Sequence, residues 1–160
     1  MKILSFVVGA VLLLAIAAAG QNQSKTPLNS KVSQTEASMV KYFSKDDLAA
    51  SFAKGATIAE QSDYKVMTAH RTEGGMVEVH NNFTDIFYIV QGETTIVTGG
   101  KMVHETTKDP DEPRGASIEG GEARKMSAGD SIIIPAGVPH WMKEVPGELR
   151  YFVVKVRKAE

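Results

Sequence analysis

Hydrophobic and polar residues alternate in short runs along most of the chain after residue 56, and Gly, Pro, Asn and Asp separate these runs. Alternation with a period of two is typical of a β-strand that buries one face. The pattern predicts strands at 64–71, 75–80, 84–90, 93–98, 101–106, 115–118, 123–126, 131–134, 138–143 and 149–156. Many short strands at such close spacing predict an all-β sandwich or barrel.

A single helical pattern precedes the strands. Ser44 is a favourable N-cap residue, and the two aspartates that follow in the first turn interact well with the helix dipole. Leu48 and Phe52 are four residues apart and therefore share a face, and Gly55 is a typical end signal. We predict one short helix over 45–54.

The N-terminus carries an apolar run after Met1-Lys2 that ends in the small residues AIAAAG. This arrangement is typical of a cleavable secretory signal, with a cut after Ala19 or Gly20. A membrane anchor is the alternative, but the run is short for a membrane span. We expect export to the periplasm or the extracellular space, without membrane attachment after cleavage. The predicted organisation is a signal peptide at 1–20, a flexible polar leader at 21–43 and one folded domain at 44–160.

Charge and cysteine content exclude several classes of function. The 160 residues include 18 Lys and Arg against 19 Asp and Glu, which gives a formal charge of -1. A nearly neutral chain gives no support for nucleic acid or an anionic membrane as a partner. The absence of cysteine excludes disulfides, a thiolate nucleophile and a zinc-thiolate site.

The candidate chemistry lies on three of the predicted strands. In MVEVH, residues 76–80, Glu78 and His80 share one face, which meets either water or an interior that requires charge. Asp85 begins the next strand on a face with apolar side chains beyond it, which favours the floor of a pocket over an open surface, although a residue at a strand start is by default a turn or cap residue. If the barrel closes with His140 also facing inward, two imidazoles and two carboxylates meet. That set suits Mn(II), Fe(II), Ni(II) or Zn(II).

The segment GDSIIIPAGVPH, at 129–140, resembles the second signature motif of the cupin superfamily. Gly129 is followed after five residues by Pro135, after one by Gly137 and after two by His140. From average Gly and Pro usage, a chance match in such a chain is on the order of one in a thousand.

The first cupin motif is resembled only in part. Asp85 is followed after six residues by Gly92, four residues separate it from His80, and Glu78 lies two before His80. In this register Glu stands for the first His of the motif and Asp for its Glu. A rival register through Gly74, His80 and Asn82 leaves no carboxylate at the fourth ligand position.

The resemblance covers roughly 64–156 and implies a fold, a metal site and an assembly. The fold is a double-stranded β-helix, or jelly-roll cupin barrel, here with one short N-terminal helix. Homodimer formation is the habit of the family. The ligand positions of the family fall on Glu78, His80, Asp85 and His140. The two departures leave the identity and the occupancy of the divalent metal open among Mn, Fe, Ni and Zn.

The resulting functional hypothesis is an exported, metal-binding, single-domain cupin that acts on a small oxygenated molecule. Dioxygenase, isomerase, decarboxylase and lyase chemistry all stay open, and an enzyme is slightly favoured. The alternatives are a non-catalytic cupin that binds a sugar or a carboxylate, and a metal-free structural barrel. His70 is a candidate general base or extra ligand, against an exposed strand-end histidine. The polar segment 105–122 is either a solvated loop or a lid.

Overall fold

The computed structural model describes residues 40–107 and 109–159. The predicted signal peptide and most of the predicted leader lie outside these residues. In the described part of the chain, no helix is both long enough and apolar enough to cross a membrane. The elements are α1 (Lys45–Lys54), β1 (Ala56–Glu60), β2 (Tyr64–Arg71), β3 (Val77–Glu78), β4 (Phe83–Gln91), β5 (Glu93–Thr98), β6 (Lys101–Glu105), β7 (Arg114–Glu119), β8 (Glu122–Ser127), β9 (Ser131–Ile134), β10 (His140–Glu144) and β11 (Leu149–Arg157).

The strands form two antiparallel sheets. The five-stranded sheet has the order β1-β2-β11-β4-β9, and the six-stranded sheet has the order β6-β7-β3-β10-β5-β8. Apart from the pairs β1-β2 and β6-β7, neighbouring strands in both sheets are not consecutive in sequence, as in a jelly roll rather than a meander. The predicted all-β jelly roll with one short helix is confirmed.

The core lies between the facing sides of the two sheets. Ile89 and Leu149 from one sheet and Ile96 from the other are completely buried. Side chains from both inner faces interdigitate there, as they do in other packed β-sandwiches. The buried members of this cluster are Phe87, Ile89, Ile96, Met126, Ile134, Met142, Leu149, Tyr151 and Val153.

Helix α1 covers part of the outer face of the five-stranded sheet, and its predicted bounds of 45–54 are confirmed. Ser44 and Asp47 form a reciprocal capping box at its N-terminus. Phe52 packs edge-on against Phe152, with ring centroids 5.0 Å apart. The helix therefore buries an aromatic side chain that the sheet would otherwise expose.

Two strand predictions and the predicted connection at 105–122 need correction, whereas the strand predicted at 115–118 is present as β7. Strand β1 was not predicted, because ATIAE at 56–60 has no clean alternation. Strand β3 is only two residues long, since the amides of Val79 and Asn81 bond to carbonyl groups in the segment after β6. The polar segment 105–122 is not one long connection, because β7 pairs with β6 and β3 in its middle.

Candidate metal centre

Strand register brings two of the predicted ligands face to face. His140 on β10 is the direct cross-strand partner of Glu78 on β3. Side chains at directly opposed positions of an antiparallel pair lie on the same face with Cβ atoms about 5 Å apart. His80 follows Glu78 by two residues and joins them on this face.

Glu78, His80 and His140 form a group that could hold a metal ion. Their ligand atoms all lie within 4.8 Å of one another. Two atoms that each lie about 2.1 Å from one ion are at most about 4.2 Å apart, so the group can close on an ion with little rearrangement. Both histidines are buried, and Glu78 is partly exposed.

The environment of His140 fits a metal ligand. Its Nδ1 lies 3.1 Å from the carbonyl oxygen of Val138, which can only accept, so Nδ1 carries the proton and Nε2 carries the lone pair. Nε2 is buried and has no hydrogen-bond partner among the described residues. Burial lowers the pKa of His140, although the hydrogen bond to Val138 and the charge of Asp85 act in the opposite direction. The ring is therefore held neutral, which is the form that binds metals.

His80 is oriented by a buried carboxylate. Its Nδ1 donates to Asp85 Oδ2 at 2.5 Å, which leaves Nε2 as the acceptor nitrogen. Asp85 is 1% exposed, and its Oδ1 lies 3.3 Å from Lys155 Nζ. Burial alone would raise the pKa of Asp85, but the bond from His80 and the nearby positive charges together lower it. Metal-binding histidines commonly donate their second nitrogen to such a carboxylate.

The four predicted ligands therefore occupy two kinds of position. The ligand atoms of Glu78, His80 and His140 lie close together. Asp85 lies outside this group, and its Oδ2 contacts Nδ1 of His80. Asp85 Oδ2 is also 3.5 Å from His140 Nε2. Ligation of a metal by any of the four stays a prediction, and the contacts of Asp85 are those of a residue that positions His80.

The group opens onto a cavity of about 580 Å³ between the sheets. Glu78 forms part of the cavity wall. Its Oε1 lies 3.1 Å from Nη1 of Arg114, which also lines the cavity. A larger cavity of about 800 Å³ lies elsewhere, along Thr94, Lys125 and Glu144, and is lined by no histidine. The smaller cavity is the candidate site because Glu78 and His80 of the metal-binding group line it.

Arg71 and Tyr151 are among the residues of this cavity that sequence reasoning missed. Arg71 on β2 donates from Nε to the hydroxyl of Tyr151 on β11 at 3.0 Å. Burial raises the pKa of Tyr151, despite the opposing effect of Arg71, so its hydroxyl stays protonated. Arg71 shares its strand face with Met67 and Ala69, which pack against the core. The alternation of residues along β2 could have placed Arg71 on the same face as Met67 and Ala69. Alternation alone does not say which face of β2 points inward.

His70 lies on the other face of β2. Its register partner on β11 is Arg150, and its Nε2 lies 3.1 Å from Glu148 Oε1. The imidazole therefore lies beside Glu148 and outside the group around His140, although His70 is among the residues that line the candidate cavity. Catalysis by His70 stays an untested prediction that these contacts do not favour.

Comparisons with known proteins complete the description of the site. A family model described as Cupin matches residues 57–157. No curated protein matches the chain. Among solved structures, KdgF from Halomonas sp. is similar at 18% identity and a TM-score of 0.48, covering 66% of this chain and 80% of that one. The DMSP lyase DddQ from Ruegeria pomeroyi DSS-3 is similar at 17% identity and a TM-score of 0.44, covering 62% and 41%. A predicted oxalate decarboxylase from Thermotoga maritima is similar at 16% identity and a TM-score of 0.40, covering 59% and 65%. These values are too low to transfer an activity.

Proposed function

The chain belongs to the cupin family, and on that basis we propose that it binds a divalent metal and acts on a small oxygenated molecule. The observation that carries the proposal is the Nε2 lone pair of His140, which is buried, has no hydrogen-bond partner in the described part of the chain and is grouped with Glu78 and His80. A buried polar atom without a partner costs about 1–3 kcal/mol. A bound cation would offset that cost.

Glu78, His80 and His140 would hold the metal. Two imidazoles and one carboxylate are donors that Mn, Fe, Ni and Zn all accept, so the donor set does not choose among these metals. When bound, the metal would act as a Lewis acid on an oxygen of the ligand. The protein itself keeps His140 neutral and orients His80 through Asp85.

The cavity supports a small ligand. Its volume of about 580 Å³ lies within the usual range for small-molecule sites, about 300–1,000 Å³. The aromatic rings of Phe87 and Tyr151 form apolar parts of the cavity wall, and the charged side chains of Arg71, Arg114 and Lys155 offer polar contacts. Dioxygenase, isomerase, decarboxylase and lyase reactions are all compatible with such a site, because the fold does not determine the reaction.

The metal content of the purified protein tests the proposal. The chain from Gln21 is purified without chelator or nickel affinity resin, beside Glu78→Ala, His140→Ala and the control His104→Asn. His104 is exposed, and Asn tolerates its positive φ of 54°. We expect about one equivalent of Mn, Fe, Ni or Zn in the wild type and the control, and loss of metal in both site variants. A folded wild type that stays empty after all four metals are offered would instead favour the metal-free structural barrel.

Turnover separates an enzyme from a binding protein. The metal-loaded protein is incubated with panels of small sugars, hydroxy acids and keto acids, and products are followed by mass spectrometry. Conversion that is lost in His140→Ala supports a metal-dependent enzyme. Ligand binding without conversion supports the non-catalytic binding cupin.

We also propose export and a homodimer. Export is inferred from the apolar N-terminal run, and N-terminal sequencing of secreted protein should begin near Gln21. The dimer is supported by exposed apolar side chains on the outer face of the five-stranded sheet, at Tyr88, Ile133 and Val156. Sedimentation analysis should give twice the monomer mass.

A further inference from the structure

The cavity beside the metal centre is lined by one cation that forms no ion pair with a carboxylate of the described residues. Its cationic lining residues are Lys65, Arg71, Arg114 and Lys155. Three of them form ion pairs, Lys65 with Glu60 at 2.9 Å, Arg114 with Glu78 at 3.1 Å and Lys155 with Asp85 at 3.3 Å. Arg71 alone of the four forms no ion pair within 4 Å among the residues that the structure describes. Burial acts to lower the pKa of Arg71, but Tyr151 and the charge of Glu78 raise it, so Glu78 lies nearby without pairing with it.

The guanidinium of Arg71 is fixed but not saturated. Only its Nε is engaged, in the hydrogen bond to Tyr151. Nη1 and Nη2 have no acceptor among the described residues, and neither is fully buried, so their N–H groups are open to the cavity. Arg71 also lines the small void beside His140, together with Glu78. These donors therefore line the same void as two of the proposed metal ligands.

Two neighbours hold the guanidinium in this position. A Cβ atom at Gly75 would lie only 2.6 Å from Arg71 Nη1, so the missing side chain leaves the space that the guanidinium fills. The hydroxyl oxygen of Tyr151 accepts from Arg71, and its own hydrogen remains free to donate. Arg71 and Tyr151 together present donors and no acceptor charge.

We infer that Arg71 and Tyr151 form an anion subsite, which binds the carboxylate of a small ligand whose neighbouring oxygen meets the metal. The inference rests on the proposed function and names its ligand class, the small α-hydroxy or α-oxo carboxylates. The planar fork of a guanidinium matches a carboxylate in two parallel hydrogen bonds. One guanidinium balances one negative charge, whereas a phosphate group carries nearly two at neutral pH.

Binding of a charged and an uncharged probe tests the subsite. The Mn(II)-loaded protein is titrated by calorimetry with glycolate and with glycolamide, which share the hydroxyl and carbonyl oxygens but differ in charge. Losing a hydrogen bond to a charged group corresponds to on the order of 10- to 100-fold in affinity. We expect the wild type to prefer glycolate by that factor, and Arg71→Met to lose the preference while it keeps its manganese.

Three further variants locate the effect. Gly75→Ala adds one methyl group that displaces the flexible end of Arg71, so it should weaken glycolate binding without changing the charge. Tyr151→Phe should weaken glycolate binding less than Arg71→Met. Lys65→Met is the matched control, because it removes a cation of the same cavity that is already paired with Glu60. It should leave the preference intact.

The outcomes separate this inference from the proposed function. A wild type that binds none of Mn, Fe, Ni and Zn overturns both, and a wild type that binds one of the other three metals instead of manganese is titrated with that metal. A manganese-loaded wild type that binds the two probes equally, or an Arg71→Met variant that keeps the preference, overturns the anion subsite alone. An equal loss of the glycolate preference in Lys65→Met and Arg71→Met would show a general effect of cavity charge. That result would also overturn the anion subsite.

Discussion

Substitution of Asp85 distinguishes a residue that positions His80 from a fourth metal ligand. Asp85 Oδ2 is 2.5 Å from His80 Nδ1 and 3.5 Å from His140 Nε2, and Oδ1 is 3.3 Å from Lys155 Nζ. In Asp85→Asn, the side-chain carbonyl can still accept from His80, but the negative charge is lost. In Asp85→Ala, both the charge and the acceptor are lost.

The two roles predict different magnitudes. Removing an outer partner of a metal-binding histidine typically costs 10- to 100-fold in metal affinity. At about 1.4 kcal/mol per factor of ten, this corresponds to about 1.4–2.7 kcal/mol. We expect about a tenfold loss for Asp85→Asn and up to about a hundredfold loss for Asp85→Ala, since Asn preserves a neutral hydrogen bond. His140→Ala should abolish stoichiometric binding, because it removes a ligand.

The assay is a competition titration with Zn(II) and a fluorescent chelator, with circular dichroism as a check of folding. Asp130→Asn is the matched control. Asp130 accepts from the amide of Ser127 at the turn between β8 and β9, and it lines neither of the two large cavities. An Asp85→Ala variant that loses metal as completely as His140→Ala would make Asp85 a ligand. Wild-type affinity in the same variant would show that Asp85 does not support His80 at all.

Two further predictions concern stability. The pKa of His140 is lowered in the folded state. In the metal-free protein, the contribution of neutral His140 to the free energy of unfolding should therefore be complete above about pH 6.5, the pKa of an unfolded histidine, and should be lost as the pH falls toward the folded pKa. This one proton contributes at most about 1.4 kcal/mol per pH unit to the slope of the unfolding free energy against pH. Urea unfolding at several pH values should show a shallower decline of that free energy in His140→Gln than in wild type and His104→Asn. Identical slopes would contradict the lowered pKa of His140. Gly92 and Gly129 both have positive φ, at 86° and 96°. A Cβ atom at Gly92 would lie 2.0 Å from the carbonyl oxygen of Glu148, whereas a Cβ atom at Gly129 would have no described atom within 4 Å. Gly129→Ala should therefore cost about 1–3 kcal/mol from backbone strain, and Gly92→Ala should cost clearly more by denaturant unfolding; equal losses would mean that close approach is unimportant at Gly92.

The sequence by itself determined the local structure. Alternation of apolar and polar residues located ten of the eleven described strands, and the cap at Ser44 with Phe52 four residues after Leu48 located α1. These signals are short-range, since strand periodicity and helix capping depend on residues only a few positions apart. The shared face of Glu78 and His80 follows from the same periodicity. The cupin motif then added the expectation that His140 joins them.

The tertiary structure decided which residues meet and in what role. The pairing of Glu78 with His140 depends on the register between β3 and β10, which are more than 60 residues apart in sequence. The contacts of Asp85 with His80 and Lys155, the position of His70 beside Glu148, and the pair of Arg71 and Tyr151 depend on how the two sheets face each other. Alternation divides each strand into two faces but does not say which face is inside, and a shift of one residue exchanges them. Only the packing of both sheets around one core removes that ambiguity.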